Sequence, residues 1–127
     1  MLAQRENDPL TEKIIGFAIE VHRQLGPGLL ESAYEECLCY EFRENGIAFR
    51  RQVPLPVIYK DIRLDCGYRI DLVVGDELIL ELKTVERLIP VHEAQLLTYL
   101  KLSGLRTGLL LNFNAAVLRD GIRRLVL

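Results

Sequence analysis

Apolar residues recur at helical spacing over the first third of the chain and at alternate positions over much of the rest. Ile14, Ala18, Val21 and Leu25 fall about one turn apart, with Ile15, Ile19 and His22 beside them, which predicts an amphipathic helix. Asp8-Pro9 suits its start, because Asp accepts the orphan amides of a first turn and Pro fits the first helical position. Gly26-Pro27-Gly28 stops it. Leu30, Tyr34, Leu38 and Phe42 mark a second helix, which Asn45-Gly46 ends. From Phe49 the period changes to two. Phe49–Val53 and Val57–Tyr59 read as short strands, interrupted by Pro54 and Pro56, which suit an edge or a bend. Leu64–Val74 reads as one strand with Tyr68, Ile70, Leu72 and Val74 on a common face. Gly75-Asp76 marks a turn, and Leu78, Leu80 and Leu82 alternate along the return strand. Pro90 precedes a third helix over Val91–Leu102, closed by Ser103-Gly104. Gly108–Phe113 has the apolar run of a central strand covered on both faces, and Ile122–Leu127 forms a last strand. The order predicts an α/β (α+β) fold, a mixed central β-sheet flanked by helices.

Composition narrows the class. The chain has 127 residues, half of them apolar and 27% charged, the balance of one globular domain spanning 1–127. Its formal charge of −2 excludes a uniformly basic surface but leaves room for local patches at Arg50-Arg51, at Lys60 with Arg63, and at Arg119 with Arg123-Arg124. Three cysteines without a CxxC spacing fit neither a disulfide framework nor a four-thiolate metal site, and they suit a reducing compartment. No apolar run approaches the roughly 20 residues of a membrane span. The opening MLAQRENDPL lacks the apolar segment of a signal peptide. The expectation is a cytoplasmic protein without a membrane partner.

Chemistry concentrates between Asp71 and Lys83. A hairpin otherwise built from aliphatics carries Asp71, Glu81 and Lys83. Glu81 and Lys83 are two apart on a strand and so share a face. A three-residue connection would set Val74 opposite Leu78 and Asp71 opposite Glu81, with Cβ atoms about 5 Å apart. A two-residue turn would separate the acids, leaving Glu81 and Lys83 as a surface ion pair. Two carboxylates at the closer distance repel unless a cation lies between them, and hard divalent ions take oxygen ligands. With a lysine at the edge to stabilise charge on a phosphate, these are the parts of a metal-assisted phosphodiester hydrolase.

Asp71 with Glu81-Leu82-Lys83 resembles the D…(D/E)xK signature of the PD-(D/E)xK nuclease superfamily. Gly28-Leu-Leu-Glu31-Ser-Ala-Tyr34 is similar to the GxxExxY motif of a small family within it, and Gln95-Leu-Leu-Thr-Tyr99 to the QxxxY motif of its RecB-like members. The likeness covers about Ile14 to Leu127 and implies a restriction-endonuclease-like core. It further implies that Asp71, Glu81, the Leu82 carbonyl and Glu31 hold Mg²⁺ or Mn²⁺, that Lys83 is the catalytic lysine, and that Gln95 belongs to the site. Gln95 and Tyr99 would help to organise the nucleic acid. His92, one turn before Gln95, shares their helix face and is a further substrate-binding candidate. Taken singly, Glu31 also suits the positive end of its helix, and Tyr34 and Tyr99 suit a packed core. Ile70 stands where the signature has proline, and the four cysteines of iron–sulfur members are absent.

The expected activity is divalent-metal-dependent hydrolysis of phosphodiester bonds, with DNA as substrate. A homodimer would set two sites against two strands. The competing expectation is a catalytically silent module on the same fold that binds nucleic acid or protein.

Overall fold

The computed structural model describes residues 8–127; all but the last three residues of the opening segment MLAQRENDPL, expected not to be a signal peptide, lie outside them. Helix α1 spans Pro9–Leu25 and α2 spans Glu31–Glu44. Strands β1 (Phe49–Pro54), β2 (Val57–Tyr59), β3 (Ile62–Leu64), β4 (Arg69–Val74) and β5 (Leu78–Lys83) follow, then α3 (Pro90–Ser103), β6 (Thr107–Asn112), a 3₁₀ turn at Leu118–Gly121 and β7 (Ile122–Val126). Five strands form one mixed sheet in the order β1-β4-β5-β6-β7, while β2 and β3 pair only with each other. The β5–β6 pair is parallel, joined over the sheet by α3, and its neighbours are antiparallel.

Alternation along the strands explains the two cores. Leu72, Val74, Leu78, Leu80, Leu82, Leu109 and Leu111 pack against α1 and α2. Val73, Ile79, Leu110 and Leu125 point the other way, against Leu96, Tyr99 and Leu100 of α3. The mixed sheet flanked by helices is as the apolar pattern predicts.

Local starts and stops follow their residue chemistry. Asp8 caps α1, accepting the Thr11 hydroxyl at 2.8 Å, and Gly26 ends the helix at φ 68°. Edge strand β1 finishes at Pro54, which has no amide to give to the ladder. Leu25 and Leu30, read as members of the apolar stripes, are instead 39% and 77% exposed at the helix ends. Cys39 is buried and Cys37 half-buried, and all three cysteines are free thiols.

The predicted strand Leu64–Val74 requires correction. It breaks into β3 and β4 around Gly67, whose φ of 81° belongs to the left-handed region, and Tyr68 falls in the loop. Its single apolar face also fails. Ile70 packs in the α3 core, whereas Leu72 and Val74 face α1 and α2, so the alternation slips at the intervening Asp71.

The α1–α2 loop is held by a buried tyrosine. Tyr34 donates its hydroxyl to the Gly26 carbonyl at 2.6 Å, accepts the Leu29 amide at 3.2 Å and stacks on Phe113 at 4.4 Å between ring centroids. Gly28, at φ 101°, gives its amide to Asn114 Oδ1 at 3.1 Å. Gly28 and Tyr34 therefore fix the loop that sets Glu31 at the first position of α2. Tyr34→Phe should leave the ring stacked but remove both bonds, lowering unfolding free energy by about 1–3 kcal/mol in a denaturant titration. An unchanged transition midpoint would show that the hydroxyl does not secure the loop.

Candidate active site

The β4–β5 connection has three residues: Val74 lies opposite Leu78 and Leu72 opposite Leu80. Continuing that register sets Asp71 opposite Glu81. At this level the backbone ladder gives way to two side-chain bonds. The Asp71 amide donates to Glu81 Oε2 and the Leu82 amide to Asp71 Oδ2, each at 2.8 Å. Each acid thus spends one oxygen on the other's strand and keeps a second.

Glu81 is only 4% exposed, within a strand whose other residues from Leu78 to Leu82 are buried aliphatics. A Leu there would contribute about 1.5–3 kcal/mol by burial, whereas a desolvated carboxylate costs stability. Such a position is an indicator of chemistry rather than packing. Burial, with the Asp71 charge second, pushes the Glu81 carboxyl up to about 8. Burial also raises Asp71, and the nearby Glu35 and Glu31 charges add to the effect.

Asp71 opens onto a cleft of about 410 Å³, lined also by Glu31, Ser32, Glu35, Gln52 and Leu82. Glu31 therefore borders the same space as Asp71. Glu35 and Gln52 are site residues that the sequence reading missed. Gln52 donates to Glu35 Oε1 at 2.8 Å and to Asp71 Oδ1 at 3.4 Å. Arg51 clasps Glu35 through Nε at 3.0 Å and Nη2 at 2.9 Å. Gln52 has φ 48°, a strained backbone for a side chain of its size, inside an edge strand. A signal for Glu35 was present in its i,i+4 spacing from Glu31; Gln52 carried none, because its strain is invisible in sequence.

On the α3 side a polar chain crosses between elements. Lys83 Nζ donates to Gln95 Oε1 at 3.1 Å, and Gln95 Nε2 donates to the Tyr99 hydroxyl at 3.1 Å. Tyr99 is buried, and that burial raises its phenol. His92 takes part differently: its Nδ1 accepts the Ile89 amide at 3.0 Å and secures the start of α3. Asn112 anchors the loop after β5, bonding both the amide and the carbonyl of Val85 at 3.1 and 2.9 Å. Of the basic patches, Arg51 is committed to Glu35 and Glu36, and Arg50 to Asp76. Arg123 lies beside Leu110, itself beside Glu81, so it shares their row at about 10 Å, two strand spacings from the acid.

The donor set suits a hard divalent ion. Its groups are oxygens only, two acids stand together, and both are pushed toward protonation by burial. Among the described residues no three His, Cys, Asp or Glu side chains surround one point.

A profile of the PD-(D/E)XK nuclease superfamily matches residues 8–125. The chain belongs to that superfamily. No curated protein and no solved structure matches it. In this PD-(D/E)XK protein the five-stranded sheet flanked by helices has the restriction-endonuclease-like architecture, with Asp71, Glu81 and Lys83 on its two middle hairpin strands. Among the described residues no helix is long and apolar enough to cross a membrane.

Proposed function

We propose that this protein is a divalent-metal-dependent nuclease acting on DNA, within the GxxExxY branch of its superfamily. The observation that carries the reading is the exchange of side-chain bonds between Asp71 and Glu81-Leu82, on inner strands of the sheet and next to Lys83, where packing alone would select aliphatics. Asp71, Glu81, the Leu82 carbonyl and Glu31 would hold Mg²⁺ or Mn²⁺. When bound, such an ion supplies a water of lowered pKa and neutralises charge on the phosphate.

The chain's own groups do the rest. Lys83 presents an ammonium to charge developing on the phosphate, and Gln95 fixes its direction through the 3.1 Å bond. Tyr99 in turn holds Gln95. Gln52 steadies Asp71 and is itself held by Glu35. His92 Nε2 and Arg123 lie outside this chain of contacts and would meet flanking nucleic acid. A homodimer in the cytoplasm is compatible with so small a domain.

Cleavage of single- and double-stranded DNA and RNA with EDTA, Mg²⁺ or Mn²⁺ tests the reading. Metal-dependent cutting of DNA is expected. Tight nucleic-acid binding without cutting under every condition would instead favour the silent binding module, for which the bonds of both acids to backbone amides speak.

A further inference from the structure

The segment between β1 and β4 carries surface chemistry that the acidic cleft does not use. In the β2–β3 ribbon Val57 lies opposite Leu64, Ile58 opposite Arg63 and Tyr59 opposite Ile62. A two-stranded ribbon is marginal in water unless something packs against it. Here Ile58, Tyr59, Ile62 and Leu64 are 54, 59, 56 and 40% exposed, and Tyr68 at the base is 47% exposed. Alternation gives Tyr59, Ile62 and Leu64 one face and Ile58 with Arg63 the other. Lys60, in the turn at φ 54°, holds its ammonium 5.5 Å from the Tyr59 ring centroid. Concentrated apolar exposure marks a contact surface, and cations interleaved with aromatic rings suit a partner with phosphates and flat faces.

The ribbon is continuous with the site. It joins the end of β1 to the start of β4, the strands that carry Gln52 and Asp71, and its base is closed by the Leu55 amide on the Tyr68 carbonyl at 2.9 Å. The Tyr68 ring meets Tyr99 edge-on at 6.4 Å, and Tyr99 leads through Gln95 to Lys83. Arg69 follows Tyr68 and is exposed. Arg63 is paired with Asp65 at 3.3 Å, but both side chains are well exposed and such a pair yields readily to a phosphate.

We propose that the β2–β3 ribbon is a clamp for single-stranded nucleic acid, in which Tyr59 and Tyr68 stack on unpaired bases, Lys60 and Arg69 follow the phosphates toward Lys83, and Arg63 meets a phosphate from the ribbon's other face. The inference rests on the nuclease reading and names its substrate class. A duplex hides the base faces that the two tyrosines would cover.

Fluorescence anisotropy of the whole protein in EDTA, with labelled oligo-dT and a blunt duplex, tests the clamp without turnover. The dT strand should bind more tightly than the duplex. Tyr59→Ala should weaken dT binding about tenfold and Tyr59→Trp should restore it. Lys60→Ala with Arg63→Ala should reduce the slope of log affinity against log salt by about 1.4, roughly 0.7 per contact. These side chains are exposed, so the variants should keep the wild-type circular dichroism and melting. Unchanged dT binding in the ribbon variants, tighter binding of the duplex, or a wild-type dimer that Tyr59→Ala dissociates would each overturn the clamp. Ribbon variants that bind and cut like wild type, beside an inactive Lys83→Met, would remove the clamp and leave the nuclease. Ribbon-dependent dT binding by a protein that never cuts would do the reverse, and absence of both binding and cutting would remove both.

Discussion

Lys83→Met should fold, bind divalent metal and cut DNA about 10²–10³-fold more slowly than the unaltered protein, the usual cost of removing one preorganised electrostatic donor. Methionine keeps the aliphatic stem that rests in the half-buried site and removes only the charge. The loss should fall on kcat rather than on KM, because the ammonium meets charge that is greatest in the transition state. Gln95→Ala should produce a milder fall, since it frees Lys83 from its 3.1 Å partner without deleting the cation. Purified Lys83→Met that cuts at the unaltered rate, with contaminating nuclease excluded, would contradict the proposed mechanism. If Lys83 were only a phosphate contact, the variant would lose modest affinity and about one unit of salt slope while turnover stayed intact.

The fold was largely legible because two periodicities dominate this chain. Helical spacing from Ile14 to Val21 encodes one buried face of α1, and β5 is buried on both, with Leu78, Leu80 and Leu82 in one core and Ile79 in the other. The pairing of Asp71 with Glu81 was legible only conditionally, since it turned on a connection of three residues rather than two. What escaped was irregular. The slip of alternation at Asp71 arises because carboxylates replace ladder partners there, and no residue pattern announces such a substitution. The left-handed backbone at Gln52 is imposed by its surroundings against its own preference. Glu35 offered only its one-turn spacing from Glu31, yet it is 8% exposed and gathers Arg51 and Gln52 around it. The second half of the predicted Leu64–Val74 strand was correct, but Gly67 and Tyr68 belong to a loop because the ribbon must turn back into β4.

Without divalent metal, thermal stability should fall as pH rises from 6 to 9. Burial and the Asp71 charge push Glu81 up to about 8, far above its ordinary 4.5, and Asp71 is raised as well. A folded-state pKa above the unfolded value means that the folded protein holds the extra proton. The associated stability is full below the ordinary carboxylate range and is lost as pH climbs through about 8. The carboxylates lowered in the folded state, Asp8 and Glu36, act in the opposite sense but below that ordinary range, outside the window. The melting temperature should therefore drop by roughly 5 °C or more between pH 6 and pH 9 in EDTA. Glu81→Gln should flatten the decline, because the amide oxygen can still accept the Asp71 N–H and carries no charge to desolvate. Magnesium or manganese should oppose the decline: the ion needs both acids deprotonated, so its stabilisation grows with pH and reaches about 2.7 kcal/mol at a hundredfold excess over Kd. Asp71→Asn should weaken that stabilisation by removing one of the two charges that attract the ion. Differential scanning fluorimetry across pH, with and without metal, reads all of these at once. A metal-free melting temperature that is level from pH 6 to 9 would mean that burial does not raise Glu81, and a metal shift of equal size in Asp71→Asn and the unaltered protein would mean that Asp71 is not the ion's ligand.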